Sequence, residues 1–249
     1  MSRPAALILR APGSNRDGDA AFALDLAGAE PRRTLINAVF ANPKLLHDAQ
    51  LLVIPGGFSF ADALGAGRLF ALELVTRLRE ELQTFVDAGK PVIGICNGFQ
   101  VLVRTGLLPG SGRSVALGGN AVAGQPKGQF VCDWVTLQPA SKRCIWTAEL
   151  TEAIECPIAH GEGRLAAAAD TLAALEADDQ IAFRYSGSNP NGSLADIAGI
   201  CDQTGLVLGL MPHPENHVLP RQHPLHLRGH RSGLGRALFE AGVAHANRI

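Results

Sequence analysis

The chain has 249 residues, 47 % of them hydrophobic and 18 % charged, enough apolar side chains to bury a full core. A net charge of -1 gives no general electrostatic case for nucleic acid or an anionic membrane, and an aromatic content of 5 % argues against a base-stacking surface. The five cysteines have no compact spacing and no C-x-x-C pair, which disfavours a disulfide framework and a cysteine zinc site; reduced thiols are expected.

Before Arg10 there is only a five-residue apolar run, too short for a signal-peptide core or a membrane span, so a soluble cytoplasmic protein is expected. Residues 5–9 read as a buried strand, followed by the turn-rich residues 12–15 and a helix over about 17–28. Residues 51–54 form a second buried strand that closes on Pro55-Gly56-Gly57. A long helix is predicted over about 68–88, with Val75, Leu78, Leu82 and Phe85 at helical spacing, and Gly89 stops it. Residues 91–95 are the next strand. Continuous apolar strands joined by helices predict an α/β fold: an open, mostly parallel sheet with helices on both faces, flavodoxin-like in build.

The second half reads as more antiparallel, with strands over 130–137, 155–159 and 181–185. Residues 197–201 and 206–211 flank Asp202-Gln203-Thr204-Gly205 as a hairpin. Residues 216–235 hold several His and Arg with little apolar periodicity and read as a basic surface segment; a helix over about 234–246 closes the chain. One domain spanning 1–249 is expected.

Gly94-Ile95-Cys96-Asn97-Gly98 sits between a predicted strand and a predicted helix. This is the nucleophile elbow, with cysteine in place of serine. The tight turn leaves no room for side chains two positions either side, and it puts the sulfur at a helix N-terminus, where the thiolate is favoured. Met211-Pro212-His213-Pro214-Glu215 follows a strand directly. In extended backbone His213 and Glu215 project to the same side, so the carboxylate can orient the imidazole as general base and acid. The two prolines favour that extended form. An amide hydrolase also needs preset N–H donors for its oxyanion. The N–H of Asn97 is one candidate, and the backbone of Gly56-Gly57-Phe58 at the end of the neighbouring strand supplies another.

With residues 54–67, 89–110, 158–164, 189–201 and 207–215, these motifs resemble the glutaminase subunits of phosphoribosylformylglycinamidine synthase, within the class I (triad) glutamine amidotransferases. The resemblance implies Cys96 as nucleophile, His213 as base and acid, Glu215 as its orienter, and Gly57 and Asn97 as the oxyanion hole. It implies Phe58 and Gln100 as substrate-binding residues for L-glutamine. It also implies a synthetase subunit as partner and leaves a small accessory subunit open. That synthetase would convert formylglycinamide ribonucleotide to the amidine in purine biosynthesis, and ATP and Mg would bind there. No cofactor is expected in this chain, which has no Walker-type phosphate loop. Arg16 departs from the family, many of whose members carry cysteine there.

Three further features stay open. His160-Gly161-Glu162-Gly163-Arg164 is an exposed hairpin turn, or belongs to the edge of the glutaminase site or the synthetase interface. Asn189-Pro190-Asn191-Gly192-Ser193 is a turn or a partner-docking loop. His217, His223, His226 and His230 are expected in a solvated loop rather than a metal site, since Pro220 and Pro224 break any helix. Competing functions are another triad hydrolase, such as a peptidase or γ-glutamyl hydrolase, and a non-catalytic scaffold subunit that kept the fold.

Overall fold

Residues 3–110 and 112–249 are described by a computed structural model. The chain runs β1 (Ala5–Arg10), α1 (Asp17–Leu26), β2 (Glu30–Leu35), α2 (Ile36–Ala41), α3 (Lys44–His47) and β3 (Leu51–Ile54). It continues with α4 (Arg68–Arg77), α5 (Arg79–Asp87), β4 (Val92–Ile95), α6 (Asn97–Thr105) and β5 (Val115–Gly119). Next come β6 (Val131–Pro139), β7 (Ile154–His160), β8 (Glu162–Ala167), α7 (Ala169–Ala177), β9 (Ile181–Ser186), β10 (Ile197–Cys201), β11 (Val207–Leu210) and α8 (Arg236–Ala246).

One nine-stranded sheet has the order β2-β1-β3-β4-β11-β10-β9-β6-β7. From β2 to β11 every pairing is parallel, and from β11 onward every pairing is antiparallel. The three central strands β3, β4 and β11 are buried at every position, as expected of parallel strands covered on both faces by helices. Their aliphatic side chains, with those of α4 to α6 and α8, make one continuous core. β5 and β8 form a separate two-stranded sheet. Among the described residues, no helix is long and apolar enough to cross a membrane.

The strands over residues 5–9, 51–54, 91–95 and 197–201, and the hairpin between β10 and β11, lie where the sequence predicts them. The long helix over 68–88 does not form as one piece. It breaks at Leu78, with φ -135° and ψ 17°, into α4 and α5. Thr76 Oγ1 donates to the carbonyls of Leu72 at 2.8 Å and Glu73 at 3.3 Å, a back-bonding that competes with the helix ladder and bends it. The buried stripe Leu74, Leu78, Leu82 nonetheless runs on through the break.

The segment 216–235 runs largely along the surface, as the sequence predicts, with Leu227 97 % exposed, but it is not solvated throughout. His217 and Val218 are 1 % and 0 % exposed and His223 is 7 % exposed. Trp134 of β6 supplies the cover: its ring centroid lies 5.1 Å from that of His217 and 4.3 Å from that of His223.

Candidate active site

The carboxyl ends of β1, β3, β4 and β11 converge, as open α/β sheets require at a change of strand order. Cys96 follows the last residue of β4, and its φ of 52° and ψ of -104° fit neither strand nor helix. A side chain at such a φ is strained, and strain of this kind persists where the surroundings enforce it. They do so by contact. A Cβ on Gly94 would lie 2.6 Å from the Gly98 carbonyl oxygen, and one on Gly98 would lie 1.9 Å from that of Ile54. Both glycines are sterically required, and Asn97 opens α6 directly after the sulfur.

His213 is anchored by its N–H, which donates to the Pro157 carbonyl of β7 at 2.8 Å. The backbone beyond it is not extended, contrary to the expectation from sequence. Pro214–Asn216 forms a 3₁₀ turn, because Pro214 carries the φ that suits the first position of a helical turn. The turn still returns the carboxylate to the ring: His213 Nδ1 lies 2.7 Å from Glu215 Oε1. Burial opposes charge on the imidazole, but Glu215 and Cys96 outweigh it and hold the His213 pKa up at about 10.

A cavity of about 590 Å³ opens over the sulfur, lined by Gly57, Phe58, Cys96, Gln100, Glu162 and His213 among others. Asn97, behind the sulfur, is 2 % exposed, and its N–H belongs to the first helical residue, with no acceptor inside the helix. Phe58 sits at the mouth, 48 % exposed. Ser59 Oγ donates to Asn97 Oδ1 at 2.6 Å, Asn97 Nδ2 to Gln100 Oε1 at 3.1 Å, and Gln100 Nε2 to the Glu162 carbonyl at 2.6 Å. Both ends of the Gln100 amide are therefore engaged within the protein, tying α6 to the residue 160–164 loop.

The cavity residues that sequence reasoning missed include Asp62 and Cys132. Asp62 ends a run of left-handed residues, with Phe60 at φ 53°, Ala61 at 54° and Asp62 at 51°. No glycine marks this turn, so nothing in the sequence signals it. Burial and the Glu162 charge push the Asp62 carboxyl up, against hydrogen bonds from Gly67 and Asn97. Cys132 reaches the site through sheet register, opposite Ala159 on β7.

The residue 160–164 loop is a wall of the cavity rather than an exposed turn: His160, Gly161 and Glu162 all line it. Residues 189–193 brace that wall. Asn189 Oδ1 accepts the N–H groups of Gly192 at 2.8 Å and Ser193 at 3.1 Å. Asn191 Nδ2 donates to the Gly163 carbonyl at 3.0 Å, and Ser193 Oγ accepts from the Leu165 N–H at 3.0 Å.

Elsewhere, Glu155, His223 and His230 bring three potential ligand atoms within 4.8 Å of one another. The geometry does not suit a metal. The Leu225 N–H donates to His223 Nδ1 at 3.1 Å, which leaves the proton of the neutral ring on Nε2, facing Glu155 Oε2 at 3.3 Å. The His223 and His230 rings stack at 21°, so one ion cannot lie in both ring planes. The cluster is a hydrogen-bonded clamp between β7 and the segment 216–235.

The chain matches the model of the CobB/CobQ-like glutamine amidotransferase domain over residues 3–246. A Treponema denticola protein named phosphoribosylformylglycinamidine synthase subunit PurQ is 49 % identical, covering 97 % of this chain and 98 % of its own. A protein of the same name from Nostoc is 44 % identical over 82 % of this chain and 84 % of its own. The solved structure of PurLQS from Thermotoga maritima aligns at 33 % identity and a TM-score of 0.77, covering 97 % of this chain and 98 % of that chain. A glutamine amidotransferase from the same organism, at 16 % identity and a TM-score of 0.51 over 99 % of this chain and 96 % of that one, shares the fold.

Proposed function

Because the chain belongs to the CobB/CobQ-like glutamine amidotransferase family, and within it to the PurQ subunits of phosphoribosylformylglycinamidine synthase, we propose that it hydrolyses L-glutamine and delivers the ammonia to a synthetase subunit. That synthetase turns formylglycinamide ribonucleotide into formylglycinamidine ribonucleotide in purine biosynthesis. ATP and Mg act on the synthetase, and the glutaminase step uses no cofactor in this chain. A small accessory subunit joins the complex, which works in the cytoplasm.

The observation that carries this reading is the buried His213–Glu215 pair behind a cavity that His213 and Cys96, at its strained elbow, both line. The chemistry follows from it. With imidazolium at hand, the Cys96 sulfur attacks the glutamine carboxamide carbon as a thiolate. The N–H groups of Gly57 and Asn97 take the oxyanion. His213 gives its proton to the departing nitrogen, so the C–N bond breaks to release ammonia and leave a γ-glutamyl thioester. Water, deprotonated by the now neutral His213, cleaves that thioester to glutamate and restores the sulfur. Glu215 orients the ring throughout and matches its charge. Phe58 at the rim and Gln100 in the wall shape the glutamine pocket.

Glutamate release by the wild type and by Cys96→Ala, each with and without the synthetase subunit, tests the reading. Cys96-dependent release that rises with the partner is the expected outcome. Silence with an active partner present would remove the glutaminase role.

A further inference from the structure

His160 stands out as a buried group that the hydrolysis does not use. It ends β7, lines the same cavity as Cys96 and His213, and is 4 % exposed. Among the described residues, neither of its ring nitrogens has a hydrogen-bond partner. A buried imidazole with both nitrogens unpaired carries a desolvation cost that no protein contact offsets, which calls for a ligand in the cavity.

The ring is held rather than loose. Asn120 Nδ2 donates to the His160 carbonyl at 2.9 Å, and Asn120 Oδ1 accepts the Gly163 N–H at 3.1 Å. Gly163 leaves space for the ring, since a Cβ there would lie 2.3 Å from His160 Cε1. The loop therefore presents one imidazole, in one place, to the cavity.

Charge decides what the ring meets. The two ends of an amino-acid zwitterion find charged groups on the cavity wall, Arg16 for the carboxylate and Asp62 and Glu162 for the ammonium. With the zwitterion held so, the carboxamide oxygen would meet the Gly57 and Asn97 donors. The leaving nitrogen remains, next to His213, whose charge is near enough to His160 to be felt there. Burial, and then that charge, push the His160 pKa down to about 4, so at neutral pH the ring has no acidic proton to give.

We propose that His160 receives the ammonia released at Cys96, accepting a hydrogen bond from it through a bare ring nitrogen, and hands it on as NH3 rather than ammonium. The balance is simple: the nitrogen leaves with its two hydrogens and the His213 proton, and His160 adds none. This rests on the glutaminase reading above.

The test uses the assembled complex with its synthetase and compares glutamate formed with amidine product formed, for wild type, His160→Leu and His160→Asn. His160→Leu removes both ring nitrogens. It is expected to form glutamate at a rate within a few-fold of wild type but to lose ammonia to solvent, giving several glutamates per product. Synthesis from added ammonium chloride should be unchanged. His160→Asn, which keeps a neutral acceptor, should restore much of the coupling. If His160→Leu stays tightly coupled, or loses glutamate formation while staying coupled, the proposal is overturned. Should His160→Leu fail to assemble, judged by its failure to co-elute with the synthetase on gel filtration, His160→Met carries the same comparison. Failure of the glutaminase reading would look different, because wild type itself would then form no Cys96-dependent glutamate.

Discussion

Nδ1 of His213 lies 2.7 Å from Oε1 of Glu215, with side-chain exposures of 3 % and 0 %. Glu215 Oε2 has no hydrogen-bond partner among the described residues, so the hold of this carboxylate is directed at the imidazole. Glu215→Gln keeps the shape and an oxygen for Nδ1 but removes the charge. His213 should then protonate less readily and give up its proton in the wrong balance for ammonia release. Glutamine hydrolysis is expected to fall by about 10²–10⁴-fold, the usual worth of positioned acid–base catalysis. The loss should appear in kcat with KM little changed, in steady-state glutamate release with the synthetase present.

His213 and His160 should give stability opposite dependences on pH. The His213 pKa is raised from 6.5 to about 10, so its contribution is complete below pH 6.5 and is lost as pH rises through about 10. The His160 pKa is lowered from 6.5 to about 4, so its contribution is present above pH 6.5 and is lost as pH falls toward 4. The acid-side loss from His160 amounts to about 3 kcal/mol by linkage. Urea midpoints at several pH values should show it in wild type and should show a shallower acid slope in His160→Leu. Equal slopes would mean the ring is not held neutral.

The strain at Cys96 predicts an inverted mutational order. Glycine in a folded element is ordinarily less stable than alanine. At φ 52° the alanine Cβ keeps the strain and glycine removes it, so Cys96→Gly should be more stable than Cys96→Ala by about 1 kcal/mol. Both are expected to be inactive and folded. Thermal melts of the two proteins decide the point.

Gly98 has no such latitude. A Cβ there would overlap the Ile54 carbonyl at 1.9 Å, backbone against backbone. Gly98→Ala must push α6 off β3, and a loss of about 3 kcal/mol or more is expected. A wild-type melting temperature would show that the elbow can open without cost.

What could be read from the sequence follows from where its causes lie. The strands β1, β3, β4 and β11 are legible because burial on both faces leaves nearly unbroken aliphatic runs. β2, with the sequence EPRRTL, is not, because an edge strand needs no apolar run and tolerates Pro31. Cys96, His213 and Glu215 are legible because short-range constraints make them: two glycines for the elbow, and a proline turn between acid and imidazole. Asp62, Cys132 and the buried ring of His160 come to the cavity through tertiary packing and strand register, which no local pattern encodes. The burial of His217 and His223 has the same origin, since Trp134 lies far away in sequence.

Arg16 supplies a last expectation about recognition. Among the described residues, it is the one Arg or Lys that lines the cavity. Its stem lies beside the His213 ring: a Cβ built on Gly56 would be 3.4 Å from Arg16 Cγ and 2.8 Å from His213 Cε1. Its N–H is fixed to the Gly56 carbonyl at 3.2 Å, while its guanidinium pairs with Asp19 at 3.2 Å and is 41 % exposed. A guanidinium so placed can leave one exposed carboxylate for another, so it can take the α-carboxylate of glutamine. Solvent screens it, so Arg16→Ala should raise KM for glutamine by about tenfold, the low end for a charge-assisted hydrogen bond. It should leave kcat nearly unchanged, because the α-carboxylate is remote from the breaking bond and is bound equally in the ground and transition states. A substrate without that charge, L-glutaminamide, sharpens the comparison. Wild type should prefer glutamine over it, and Arg16→Ala should lose most of that preference. An unchanged preference would assign Arg16 to its pair with Asp19 alone.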